Sequence, residues 1–189
     1  ATPAPDAVAE KAKLCATCGL PEDVGWYDED DPVSDHVVGC AIAQAKIDVR
    51  RIHALGLSAG ALHALHLATA RPNYIASVVS YSGGLANNAP PTLAAGSAVA
   101  SLLTYGREGR DAVGLDFNLT SRRWYDAYSP LGWYIMMCGH DGGHEIPEAV
   151  ATHALQFLLD HPYGVKPQPY LRRIPTLFPS YCQNSPPPR

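Results

Sequence analysis

The sequence predicts an α/β protein, a parallel sheet with helices on both faces. Three observations carry this. Segments of strand length alternate with segments of helical periodicity. The strand candidates are nearly continuous apolar runs, as they must be when both faces of a sheet are covered. At Ser58 a strand runs directly into a helix.

Length and composition bound the problem. At 189 residues the chain fits a single domain, long enough to bury about 70% of the surface its unfolded form exposes. Hydrophobic residues make up 47% and charged residues 17%, a globular composition, and the net charge of -4 is spread along the sequence. This argues against a nucleic-acid or anionic-membrane partner and for a small or polymeric neutral substrate. No apolar run approaches the ~20 residues of a membrane span. Ala1 to Glu10 lacks the basic end and apolar block of a signal peptide, which predicts a soluble chain or a mature form. The five cysteines are an odd number, so at least one stays unpaired in a monomer. Cys15-Ala-Thr-Cys18 has the spacing of a redox pair, half a zinc site or a local disulfide. No second pair stands at finger-like distance, which favours a structural or incidental pair.

The elements follow in order. A short helical stretch from Asp6 to about Cys15 precedes an acidic loop, Glu22 to Asp31, around Trp26 and Tyr27. From Pro32 to Lys46, Val33, Val37, Cys40, Ile42 and Ala45 share one helical stripe, with Asp31 placed to cap and Pro32 in the first turn, predicting a helix packed on a sheet. Arg51 to Leu57 is a strand, and Ala59 to Ala70 an Ala/Leu-rich helix stopped by Arg71-Pro72. Tyr74 to Tyr81 is a β-branched strand ended by Gly83-Gly84. After a Pro/Asn/Gly loop come strands at Val99 to Tyr105 and Trp133 to Cys138. The helix between them, Ser121 to Leu131, carries Trp124, Tyr125 and Tyr128 at core spacing. The last helix runs from Pro147 to about His161, with Val150, Ala154, Phe157 and Leu158 facing the sheet. The proline-rich residues from Pro162 on are loop.

Gly56-Leu-Ser58-Ala-Gly60 matches G-x-S-x-G at a strand-to-helix junction, the setting that gives this pattern meaning. The turn is strained, and side chains at the flanking glycines would collide with the strand and helix. It lifts the Ser58 hydroxyl above the sheet edge, and the backbone N-H of Ala59, at the new helix's N-terminus, is placed to stabilise an oxyanion. A serine hydroxyl needs a base. His144 follows the last strand in Gly139-His-Asp-Gly-Gly-His144-Glu-Ile-Pro147, where Gly142 and Gly143 allow the loop to turn the imidazole toward Ser58. His140, in the same loop, is its rival. His53, His63, His66, His153 and His161 read as packing or surface residues. Asp111, after the third strand, is the candidate acid that orients the histidine, with Asp116 the alternative.

With these residues in place, the sequence resembles the α/β-hydrolase superfamily, and within it secreted esterases of the polyhydroxybutyrate-depolymerase and feruloyl-esterase-like group. The residues that carry the resemblance are Ile47-Asp-Val-Arg-Arg51-Ile, Gly56-Leu-Ser58-Ala-Gly60, Ser80-Tyr-Ser-Gly-Gly84 and Gly143-His144-Glu-Ile-Pro147, spanning about residues 32 to 161. The resemblance implies hydrolysis of carboxylic esters through an acyl-serine, with Ser58, His144 and Asp111 as triad and no metal or organic cofactor. It also implies a secreted or periplasmic location. The loop Leu85 to Ala98 is too short for a lid domain, which suits bulky or polymeric esters. Family members reach the elbow after several earlier strands, one ending in a His-Gly turn that completes the oxyanion hole; only about 50 residues precede the elbow here and no such motif is among them. The expected fold is therefore an α/β-hydrolase shortened at its N-terminal side.

Two rival readings are a truncated or non-catalytic hydrolase-fold scaffold, and a metal enzyme using His140, Asp141 and His144. Asn118-Leu-Thr120 is a glycosylation sequon of consequence only in a eukaryotic secretory host.

Overall fold

The computed structural model describes Trp26, residues 30–86 and residues 98–185. The Asp6 to Cys15 stretch, the Cys15/Cys18 pair, most of the acidic loop and most of the Leu85 to Ala98 loop lie outside the described residues. The chain forms two compact units, Ala1–Ile47 and Asp48–Arg189. In the first, helix α1 spans Asp31–Gln44 with Pro32 in its first turn. Asp31, the expected cap, lies inside the helix; the cap position is Asp30, which makes no side-chain cap bond. Val33, Val37 and Ile42 are exposed where the pattern predicted a buried stripe.

The second unit holds β1 (His53–Leu57), α2 (Ala59–Ala70), β2 (Ser77–Tyr81) and β3 (Ala100–Gly106). A hairpin of β4 (Ala112–Val113) and β5 (Leu115–Asp116) follows, then α3 (Phe117–Tyr128), β6 (Ile135–His140), α4 (Glu148–Asp160) and β7 (Cys182–Gln183). The main sheet has the order β1-β2-β3-β6-β7. Its first four strands are parallel, with Leu57 opposite Tyr81, Tyr81 opposite Thr104 and Thr104 opposite Cys138.

The two faces of this sheet explain the continuous apolar runs. Successive strand residues point to opposite sides. Val78, Leu103, Tyr105, Ile135 and Met137 pack with Leu65 and Ala68 of α2 and with Trp124 and Tyr128 of α3. Val79, Tyr81, Leu102, Met136 and Cys138 pack on the other side with Val150, Ala154, Phe157 and Leu158 of α4. Each strand therefore needs apolar residues at both phases of its alternation.

Besides the unexpected β4–β5 hairpin, two further elements of this unit depart from expectation. Helix α3 starts at Phe117 rather than Ser121, because Asp116 caps it: one carboxylate oxygen accepts the Leu119 N-H at 3.1 Å. The polar run Asn118 to Ser121 hides that turn from a search for apolar periodicity. The tail, expected to be loop, contributes β7, which pairs antiparallel with β6 and is bonded to it by the Cys138–Cys182 disulfide. A two-residue strand has no periodicity to read. Among the described residues no helix is long and apolar enough to cross a membrane.

Candidate active site

Ser58 sits between the last residue of β1 and the first of α2, with φ 58° and ψ -124°, a region that non-glycine residues rarely occupy. Its N-H donates to the Tyr81 carbonyl at 2.9 Å, and its carbonyl accepts from the N-H groups of Ala61 and Leu62. The same residue thus closes the β1–β2 ladder and opens α2. Gly56 makes the turn possible, since a Cβ there would lie 2.3 Å from backbone atoms of Gly60. The need is one-sided. A Cβ on Gly60 would meet nothing within 4 Å, contrary to the expectation that both glycines are sterically required.

The carboxyl ends of β3 and β6 hold the other candidate residues. Asp111, in the loop after β3, is fully buried. Its Oδ1 lies 2.7 Å from Nδ1 of His144, and its Oδ2 accepts from the Ser82 hydroxyl at 2.7 Å and from the Gly106 N-H at 3.1 Å. A carboxylate accepts only, so Nδ1 of His144 carries the proton and Nε2 is left with the lone pair in the neutral ring. His144 is partly exposed, 22% of its side chain against none for Asp111. The imidazole stacks on Phe117, ring centroids 5.0 Å apart.

The alternatives fall elsewhere. Asp116 is exposed and spends its carboxylate on the α3 cap. His140 ends β6, buried, with Nδ1 accepting the Gly142 N-H at 3.2 Å; burial pushes its pKa below the usual histidine value. Asp141 pairs with Arg107 at 2.6 Å. His140, Asp141 and His144, the conceivable metal trio, are thus each engaged separately, and among the described residues no cluster of His, Cys, Asp or Glu is arranged to hold a metal ion. His53 donates to or accepts from the Ser77 hydroxyl, and His161 stacks on Phe157, both as packing residues.

Several contributors were not foreseen as site residues: Ser82, Phe117, Gly106 and the arginines that join the two loops. Arg107 pairs with the Asp141 carboxylate, its N-H donates to the His140 carbonyl, and Arg110 donates to the Asp141 carbonyl at 2.9 Å. Gly106 lets the loops touch, since a Cβ there would come within 2.5 Å of the Gly142 carbonyl oxygen. Gly142 and Gly143, expected to supply a special turn, both keep ordinary φ. The only signal for Ser82 was its place before Gly83-Gly84 at a strand end. Phe117 and the arginines had none, because their roles come from loops that meet only in the folded chain.

No protein-family model matches this sequence, and no curated protein sequence matches it. Solved structures do. Native pOPH is 19% identical with a TM-score of 0.68, over 82% of this chain and 57% of that one. A serine-to-alanine variant of pOPH in complex with pNPB is 17% identical with a TM-score of 0.67, over 82% and 58%. A carboxylesterase from Bacillus cereus is 18% identical with a TM-score of 0.58, over 71% and 63%. The chain spans about three-fifths of the length of these structures. The likeness establishes the fold, that of the α/β-hydrolases, as the sequence resemblance implied.

Proposed function

We propose that the chain is a serine hydrolase that cleaves carboxylic esters through an acyl-serine intermediate, with Ser58 as nucleophile, His144 as base and Asp111 as the orienting acid. The observation that carries this is the buried Asp111 bonded to Nδ1 of His144, in a fold where a strained strand-to-helix serine stands at the carboxyl end of β1 in the same parallel sheet. A non-glycine residue at φ 58° in that turn is the kind of strained position that clusters at functional sites.

Each residue has a definite task. Ser58 Oγ attacks the ester carbonyl as Nε2 of His144 takes its proton. Asp111 holds the ring in the Nδ1–H tautomer and offsets the positive charge that develops on it. The N-H of Ala59, the first residue of α2, is the proposed donor to the oxyanion, helped by the positive end of the helix dipole. Return of the proton to the alcohol oxygen releases the first product, and water activated by His144 then frees the acid. No step calls for a metal or organic cofactor. The structural likeness to a pOPH variant in complex with pNPB and to a carboxylesterase supports an ester substrate, bulky or polymeric esters being the proposed class. The buried Cys138–Cys182 disulfide supports a periplasmic or secreted location.

The test is release of p-nitrophenol from short-chain acyl esters by the purified chain beside Ser58→Ala. Turnover that vanishes in the variant supports the reading. No turnover in a folded wild-type chain favours the non-catalytic scaffold.

A further inference from the structure

Ser82 follows β2, is fully buried and holds φ at 51°, the second non-glycine residue at the sheet's carboxyl end in a left-handed conformation. Glycine would occupy that backbone without steric cost. Two glycines follow directly, so the turn as a whole is built for such geometry, and position 82 nevertheless carries a side chain. Its backbone is fixed from both sides. The Ser82 N-H donates to the Thr104 carbonyl at 2.9 Å, and the next carbonyl, Gly83, accepts from the Thr120 hydroxyl at 2.7 Å and the Ser121 hydroxyl at 3.1 Å. The Leu85 N-H completes the clasp by donating to the Thr120 carbonyl at 2.9 Å. The hydroxyl so held reaches one atom, Oδ2 of Asp111, at 2.7 Å.

We propose that Ser82 is a positioning residue for the triad: its hydroxyl, with the Gly106 N-H, occupies Oδ2 of Asp111 and fixes the carboxylate plane so that Oδ1 faces Nδ1 of His144. A carboxylate anchored through one oxygen by a single backbone donor can swing about its Cβ–Cγ bond; two donors on Oδ2 at different angles remove that freedom. The strained backbone is retained because the hydroxyl is needed there. Helix α3 serves both ends of the arrangement, holding the Ser82 turn through Thr120 and Ser121 and the imidazole through Phe117. This inference rests on Asp111 and His144 being the acid and base of the proposed reaction, but its core is a statement about geometry that holds with or without turnover.

The test uses Ser82→Ala, which keeps the Cβ and removes only the hydroxyl, and Ser82→Gly, which suits the backbone and removes the whole side chain, each in the full chain. Nitrogen NMR of labelled histidine reads the tautomer of neutral His144 directly. In the wild type it is Nδ1–H. In both variants the expected result is a mixture of tautomers, with kcat/KM on p-nitrophenyl esters down about tenfold, the worth of one hydrogen bond, and KM unchanged. The acid limb of the pH–kcat/KM profile moves with it, while Arg107, Glu108, Arg110, His140, Asp141 and Glu145, the other ionisable groups of these loops, are untouched. A pure Nδ1–H tautomer and an unshifted profile in the variants overturn the proposal, even if thermal stability falls, because a purely structural serine would lower only the stability. An altered tautomer in a chain without esterase activity upholds it and removes the proposed function instead.

Discussion

Nδ1 of His144 and Oδ1 of Asp111 stand 2.7 Å apart, joining a partly exposed imidazole to a fully buried carboxylate. The two residues are 33 positions apart in sequence and meet because β3 and β6 are adjacent parallel strands that end at the same level, Gly106 opposite His140.

Asp111 and Asp116 therefore separate cleanly by mutation. Asp111→Asn leaves the ring free to take the wrong tautomer and should lower kcat by about a thousandfold to ten-thousandfold, the range of triad-acid losses. Asp116→Ala should leave kcat within about twofold and lower stability by about 1 kcal/mol through the lost α3 cap. Steady-state kinetics and urea titration of the two variants check both.

The two elbow glycines should behave oppositely. Gly56→Ala drives a Cβ into the Gly60 backbone at 2.3 Å and is expected to cost about 3 kcal/mol or more, or to prevent folding. Gly60→Ala lies in the first turn of α2 with open space around the new methyl, and should be neutral or stabilise by up to about 1 kcal/mol. Thermal melts of both variants decide it. Equal damage from the two would contradict the one-sided packing.

Much of this was legible from residues alone. G-x-S-x-G between an apolar strand and an Ala/Leu helix marked Ser58, because strain, strand and helix are all local features. The succession of strands and helices along the chain, and the position of His144 after the last parallel strand, were readable for the same reason. Asp111 was preferred but Asp116 stayed open, since the difference lies in a cap bond to Leu119 and in a hydroxyl arriving from the end of β2. β7 escaped because a disulfide and two residues of pairing, rather than a pattern, hold it to β6. Ser82 and Phe117 escaped because their partners are 29 residues away or on another loop.

Acid should destabilise the fold through buried and half-buried histidines whose pKa burial lowers. Burial, and then Arg51 and His161 nearby, pushes the pKa of His53 down to about 4, and burial also lowers His140 and His161. An unfolded histidine titrates near 6.5, so below that pH the unfolded chain binds protons that the folded chain refuses. The contribution is present above pH 6.5, falls between about 6.5 and about 4, and changes no further below the folded value of His53. Melting temperature measured across that window should drop less steeply in His53→Gln than in the wild type.

The disulfide should matter for stability more than for chemistry. The bridge closes 44 residues between Cys138 and Cys182, and by chain entropy its loss costs about 3 to 4 kcal/mol. Cys138→Ser/Cys182→Ser should melt correspondingly earlier while retaining kcat at a temperature where it is folded, since Ser58, Asp111 and His144 draw nothing directly from β7. Loss of kcat in a folded double variant would show that β7 holds the end of β6 in place for His144.

The most direct test of the central claim is covalent labelling by a fluorophosphonate, located by peptide mass spectrometry. One adduct is expected, on Ser58, absent in Ser58→Ala and formed far more slowly in His144→Ala. A folded chain that takes no label, or takes it on another residue, would contradict the assignment of Ser58 as an activated nucleophile.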